Sequence, residues 1–414
     1  VKRNKKTMIS LFSGAGGLDH GLAAAGFTNR LCIEIDELAK QTLQLNHPSW
    51  KLASPGDIHA LTPSSILAQA RLRPRELTLL AGGPPCQPFS KSGYWVSGDT
   101  NRLTDPRAKT LKAYLDLIRF ALPEAILLEN VKGIGYSDKD EALRLFFEEL
   151  DSINKEQRVN YRPYVVVLDA ASFGVPQSRE RVFVVASRDG KRFAAPNPTH
   201  FPPESDEGKK KPFLTAWDAI GDLDTDIWPS ELNPTGKWAR LLPTIPEGEN
   251  YLWHTARSGG YPLFGWRTRY WSFLLKLAKN KPSWTIQAQP GPATGPFHWK
   301  GRLLSVRELA RLQTFPDHYK FAGDRRAAHK QIGNAVPPVI GELFGLEIRR
   351  QFFNERVRST LRLKQEKKIN CPKPETPKKL PKEYLQLIGD YEDHPGKGKG
   401  PGAQKRGSKE RAYA

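Results

Sequence analysis

The chain has 414 residues, enough for two domains or for one large domain with an insertion. Hydrophobic content of 38%, with 10 Trp and 19 Phe, supports a packed core and excludes wholesale disorder. A formal charge of +20 points to a polyanionic partner; with no apolar run of bilayer length and no basic segment with a clean apolar face, nucleic acid fits better than a membrane.

Residues 7 to 190 read as alternating strands and helices. The opening "VKRNKKTM" is basic, and a strand and glycine loop follow it rather than a signal-peptide apolar core. Met8 is the single methionine, which fits a preceding tag or a non-standard start. "TMISLFS" is a short apolar strand, and "GLDHGLAAAGF" a helix closing at Gly26. "RLCIEID" is a second strand, followed by the helix "DELAKQTLQLNH" with Asp36 as its N-cap. The buried strand "LTLLAGG" runs into a proline turn. Beyond it come the helix "LKAYLDLIRFAL", the strand "EAILLENV", the helix "EALRLFFEEL", and the closing strands "YVVVLDA" and "RVFVVAS". This alternation predicts a doubly wound, mainly parallel α/β sheet with ligands at the strand C-termini.

The boundaries that follow are a catalytic and cofactor-binding domain over 1–189 and a smaller, irregular, β-rich domain over 190–325. A helical return to the first domain covers 326–353, and a basic, disordered tail covers 354–414. The second region is dense in proline ("AAPNPTHFPP") and mixes tryptophan with basic residues ("GYPLFGWRTRYWSFLLKLAKNKPSW"). Those tryptophans can equally be that domain's core. The tail carries twice as many basic as acidic residues and proline-glycine clusters, a composition suited to nonspecific contact with a polyanion.

Glycines in "LFSGAGGLDHGL" let the backbone turn tightly between strand and helix and let a ligand approach. Glu34 ends the second strand, where a carboxylate can accept both hydroxyls of a ribose; Asp57 in "SPGDIHAL" can accept from an adenine amino group. No GxxxxGK[ST] follows, so a nucleoside without phosphates, such as S-adenosylmethionine, suits this pattern. Cys32, Cys86 and Cys371 lie far apart with no CxxC spacing, so neither a metal site nor a disulfide framework is indicated. Cys86 stands out because "GGPPCQPFS" holds it on a stiff turn.

The blocks "LFSGAGGLDHGL", "GDI", "GGPPCQPFS", "LLENVKG", "FGVPQSRERVFVVAS", "RLLSVRELARLQTFPD" and "QIGNAVPP" occur in an order that resembles the C5-cytosine DNA methyltransferases. The resemblance spans the chain to about residue 350. It implies a Rossmann-like S-adenosylmethionine-dependent methyltransferase that acts on double-stranded DNA. Its target-recognition domain would occupy 190–325, and the polar segment "VSGDTNRLTDPRAKT" would close over an extruded cytosine.

Within that family pattern Cys86 is the expected nucleophile, because a thiolate is the strongest nucleophile available near neutral pH. Glu129 would hydrogen-bond cytosine N3, and Arg179 and Arg181, alternating on one strand face, would orient the base carbonyl and lower the thiol pKa. Glu180 between them faces the other way, and Arg307 and Arg311 read as structural. The implied cofactor set is Phe12, Ser13, Gly14, Ala15, Gly16, Gly17 and Leu18 of the loop, with Glu34, Ile35, Asp57, Ile58, Pro85, Asn334, Ala335 and Val336.

The expected setting is a bacterial cytoplasm and its nucleoid, with a monomer on DNA paired functionally with a restriction endonuclease. A tRNA cytosine methyltransferase on the same scaffold and a noncatalytic DNA-binding module are the competing readings. The large irregular domain and the basic balance favour DNA, and the combination of Cys86, Glu129 and the arginine pair favours an enzyme.

Overall fold

The computed structural model describes residues 6–84, 106–131, 141–207, 211–266, 270–364 and 370–391. Strands β1 (Thr7–Leu11), β2 (Thr28–Ile33), β3 (Leu79–Gly82), β4 (Ala125–Val131), β5 (Tyr164–Asp169) and β6 (Glu180–Ser187) form one sheet in the order β2-β1-β3-β4-β6-β5. The pairings β1–β2, β1–β3 and β3–β4 are parallel, whereas β6 runs antiparallel to both β4 and β5.

Side chains alternate between the two faces, as a buried sheet requires. Ile9, Leu11, Leu80, Ile126, Leu128 and Val184 pack on one face with helices α3 (Pro63–Ala70), α4 (Pro106–Ala121) and α5 (Glu141–Gln157). Met8, Leu79, Ala81, Leu127 and Phe183 pack on the other with α1 (Gly17–Ala24) and a late helix spanning Pro338–Phe353. A further helix, α2 (Glu37–Asn46), follows β2; Asp36 caps it through Leu38 and Ala39 N–H at 3.0 and 3.1 Å, as its position suggests.

The chain runs from β1 outward to β2 and then crosses back to β3, so strand order reverses between β1 and β3. Loops leaving the C-terminal ends of those neighbours open into a common crevice. The glycine loop follows β1, and the turn leading to Cys86 follows β3.

Between 190 and 325 the expected β-rich character is not observed. The described residues there form the short helices α6 (Ala216–Ile220) and α7 (Val306–Leu312), several 3-10 turns and isolated bridges such as Phe273–Thr294. Prolines such as Pro196, Pro198, Pro202 and Pro203 lack the N–H that a ladder needs, so aromatic clusters hold this region instead of a sheet. Arg302 pairs with Glu308 in the buried interior at 2.7 Å, and Arg311 joins Asp317 and Asp222 at 2.6 Å each. The chain then passes through α8 (Arg325–Asn334) into α9 (Pro338–Phe353), which packs along α1. A Cβ on Gly21 would fall 2.2 Å from Pro338 O, so only glycine allows this approach.

The segment after 353 is not a free tail over its described parts. Tyr384 is buried and donates from its hydroxyl to Lys237 O at 2.8 Å, and Gly389 N–H donates to Pro262 O at 2.9 Å. Glu375 and Glu247 each accept from the buried Lys279 ammonium at 2.8 Å. Leu380, Tyr384 and Leu387, spaced among lysines, supply enough apolar surface to fasten this otherwise basic stretch. Residues 392–414 lie outside the described residues. Among the described residues, no helix is long and apolar enough to cross a membrane.

Candidate active site

The loop after β1 alternates in handedness. Phe12, Gly14 and Gly16 take φ values of 57°, 54° and 76°, which wind the backbone tightly before α1. Glu34, at the end of the neighbouring β2, fastens this loop. Its carboxylate accepts Gly14 N–H at 2.6 Å and Asp36 N–H at 2.8 Å. Tyr319 supports the loop from behind, donating from its buried hydroxyl to Ala15 O at 2.7 Å.

Gly17 carries the contact with the late block. A Cβ there would lie 2.2 Å from Val336 O and 3.2 Å from the Ala335 side chain. The residues 12–18, Glu34, Ala335 and Val336 therefore meet in one place; Asn334 beside them is exposed. Asp57 caps a short 3-10 turn by accepting His59 N–H at 2.9 Å, with Ile58 buried beneath it. Gly56 brings that turn against the end of β2, since a Cβ there would sit 2.2 Å from Glu34 O.

One residue of the loop block has no assigned part in the sequence pattern. Asp19, in the first turn of α1, is 1% exposed, and the Ser10 hydroxyl beside its carboxyl group only partly offsets the cost of burying a charge there. Burial pushes its pKa up to about 7. The folded chain therefore keeps a proton there that the unfolded chain gives up at lower pH. Stability from this group is full below the ordinary pKa of 3.8 and lost as pH rises towards about 7. We expect Asp19→Asn to remove this loss. Denaturant midpoints should show the variant gaining on the unaltered chain by about 2–4 kcal/mol between pH 4 and pH 8. A constant difference across that range would refute the assignment.

On the other side of the crevice, Glu129 on β4 faces the end of β3. A Cβ on Gly83 would lie 2.8 Å from Glu129 Oε2, so the carboxylate rests against the backbone that leads into Pro84 and onward to Cys86. Arg181 Nε reaches Glu129 Oε1 at 3.0 Å, with both side chains largely buried. Burial raises the Glu129 pKa above the ordinary carboxylate value, and the positive charges of Arg181 and Arg179 only partly offset it. Pro85 and Cys86 themselves, and most of the expected closing segment, lie outside the described residues.

Arg179 and Arg181 do different things. Arg179 is 2% exposed, and its guanidinium donates to Ile286 O at 3.3 Å, Gly333 O at 2.7 Å and Ala335 O at 3.1 Å. It ties the end of the irregular region and the late turn to the sheet. Asp169 holds its backbone, accepting Arg179 N–H at 2.7 Å and the Ser178 hydroxyl at 2.8 Å. Spacing alone gave no sign of Asp169 or Tyr319, because both act through folded neighbours far away in the chain.

The geometry thus sets the glycine loop, with the Glu34 carboxylate fastened to it, on one side of the switch point, and the Glu129–Arg181 pair of β4 and β6 against the end of β3 on the other. Comparisons with known proteins identify the family. Residues 6–350 match the family model of the C-5 cytosine-specific DNA methylases. The chain is 40% identical over 363 residues to the Type II methyltransferase M.SacI of Streptomyces achromogenes, covering 81% of this chain and 90% of that one. It is 33% identical over 339 residues to M.NgoFVII of Neisseria gonorrhoeae, covering 81% and 84%. A solved structure of a Spodoptera frugiperda DNMT2 variant shares the fold, with a TM-score of 0.57 at 17% identity over 83% of this chain and 99% of that one. With a family match across nearly the whole folded body, the chain belongs to the C-5 cytosine-specific DNA methylases.

Proposed function

We propose that this DNA methyltransferase transfers a methyl group to C5 of a cytosine flipped out of duplex DNA, through a transient bond from Cys86 to C6 of the base. The observation that carries the reading is the placement of Glu129 against Gly83, three residues before Cys86, with Arg181 on the same carboxylate. A base entering beside Cys86 would meet a carboxyl group whose raised pKa suits hydrogen bonding to cytosine N3. The Cys86 thiolate adds to C6 at the expense of the C5–C6 double bond, ending the ring's aromaticity and making C5 electron-rich. After methylation a base removes the C5 proton, the C6–S bond breaks, and the C5–C6 double bond and the thiolate are restored.

The residues fit S-adenosylmethionine, which when bound supplies an electrophilic methyl group. A Cβ on Gly14 would meet no atom of the described residues within 4 Å, so the loop presents open backbone. Ile35, beside the Glu34 carboxylate, is 67% exposed and offers an apolar face to a purine ring. Phe12 to Leu18, Glu34, Ile35, Asp57, Ile58, Pro85, Asn334, Ala335 and Val336 would line this site.

In this reading 1–189 and 326–353 form the catalytic body, and 190–325 recognises the DNA sequence as a monomer. The Type II names of the relatives support a place beside a restriction endonuclease in a bacterial cytoplasm. Bisulfite sequencing of DNA from cells expressing the chain tests all of this. A single short motif converted to 5-methylcytosine is expected, and unmodified DNA together with labelled RNA would overturn the reading.

Glu129→Gln isolates the carboxyl's part. Turnover should fall by about 10²–10⁴-fold with cofactor affinity retained. The raised pKa means the proton stays on Glu129 to a higher pH than usual and is lost as pH rises further. The unaltered enzyme should therefore lose rate on an alkaline limb that the variant lacks, as initial rates of labelled methyl transfer across pH will reveal.

A further inference from the structure

The chain buries its large aromatics nearly everywhere. Among the described residues, every exposed Trp or Tyr falls between 261 and 284: Tyr261, Trp266, Tyr270, Trp271 and Trp284. Such a concentration marks a contact surface rather than a packing remainder. Arg257 lies over the Trp266 ring at 4.4 Å, so the surface combines ring faces with positive charge. That pairing suits nucleobases and their phosphates.

Trp271 and Trp284 stand out within it. They are 51% and 42% exposed, yet their rings meet edge to face, with centroids 6.0 Å apart at 74°. Each indole thus buttresses the other in an open position. The mount beneath Trp284 is rigid. Ser283 is fully buried, its N–H donating to Pro176 O at 2.9 Å and its carbonyl accepting Ser178 N–H at 2.8 Å. The Thr285 hydroxyl donates to Ser178 O at 2.7 Å. Ser178 directly precedes Arg179 and lies three residues before Arg181, which holds Glu129. Trp284 is therefore mounted on the backbone that leads into the wall of the candidate cleft, with the Trp271 ring against it. Trp271 is fastened as well, its carbonyl accepting from the buried Asn250 at 2.8 Å.

We propose that Trp271 and Trp284 form a wedge on the rim of the cleft that stacks against the bases beside the extruded cytosine. An indole face replaces the stacking that the neighbouring bases lose when the target leaves the helix, which lowers the penalty of extrusion. The proposal deepens the reading of Glu129 and Cys86 as the target-base site and rests on it.

The test uses the full chain and duplexes bearing the motif found by bisulfite sequencing. One duplex pairs the target cytosine normally; the other mispairs it, so that unstacking is partly made beforehand. Trp284→Ala and Trp271→Ala should bind the paired duplex roughly 10- to 100-fold more weakly. The loss should shrink on the mispaired duplex, leave the salt dependence unchanged, and be largely restored by Trp284→Phe. An equal loss on both duplexes, or none, overturns the wedge, provided thermal unfolding of the variants matches the unaltered chain. If a variant unfolds early, Trp284→Phe alone decides: near-normal discrimination between the duplexes supports the wedge, and its absence overturns it. Failure of the unaltered protein to methylate duplex DNA would instead overturn the underlying reading.

Discussion

Cys86→Ser is expected to bind S-adenosylmethionine and duplex DNA almost normally while losing methyl transfer by on the order of 10³-fold or more. The change replaces one atom, so shape and polarity at the turn hardly alter, but a hydroxyl has almost no ionised form near neutral pH. The thiol, by contrast, has an ordinary pKa of about 8.5 and needs only modest help from neighbouring cations. No other cysteine can substitute. Cys32 is fully buried in β2, where burial pushes its thiol pKa up and Asn29 donates to its sulfur at 3.0 Å. Cys371 lies in the late segment that packs on the aromatic cluster around Tyr251 and Phe297, far along the chain from the β3 turn, with its own pKa raised. Duplex carrying 5-fluorocytosine at the target should trap a covalent complex with the unaltered chain, because fluorine cannot leave as the proton does. Denaturing electrophoresis should show that complex for the unaltered chain and none for Cys86→Ser. Near-normal turnover by the serine variant would remove the nucleophile assignment.

Local signals made much of this arrangement readable before any coordinates. Period-two and helical patterning placed all six strands, because a sheet covered on both faces leaves long apolar runs such as "AILL" in β4. The glycine loop was legible because its backbone turns demand glycine at Gly14 and Gly16. Strand direction was not: nothing in "RVFVVAS" distinguishes an antiparallel β6 from a parallel one. Alternation puts Arg179 and Arg181 on one face, but β6 begins only at Glu180, and spacing does not show that the partners of Arg179 are carbonyls more than a hundred residues away. The fastened segment around Tyr384 was hidden for a related reason. Three apolar side chains among many lysines look like solvated chain until an aromatic cluster from another region receives them. The expected β-rich character of 190–325 is not met among the described residues, where prolines without an N–H interrupt any ladder.

The division between the two arginines gives the second large expected effect. Arg179→Ala would leave the carbonyls of Ile286, Gly333 and Ala335 without the guanidinium donors they now share in the interior. Leaving a buried acceptor unsatisfied typically costs about 1–3 kcal/mol, and several at once take a large part of a domain's stability. The loss should spread to the cofactor side, because Ala335 and Val336 rest on Gly17 and hold the glycine loop in place. Arg179→Ala is therefore expected to lower the urea midpoint sharply and to weaken S-adenosylmethionine binding. Arg179→Lys should recover only part of this, since an ammonium lacks the planar fork that spans several acceptors. Arg181 ends at a carboxylate on the cleft wall and donates to its neighbour's carbonyl, Glu180 O, at 2.7 Å. Arg181→Ala should lower the urea midpoint less than Arg179→Ala, because the Glu129 carboxyl it leaves behind can take up a proton, while lowering turnover on DNA with cofactor affinity little changed. Measuring unfolding, cofactor affinity and methyl transfer on both variants separates an anchor from a group at the reacting base. Equal behaviour of the two variants in all three measurements would mean that both arginines serve one purpose, against the geometry.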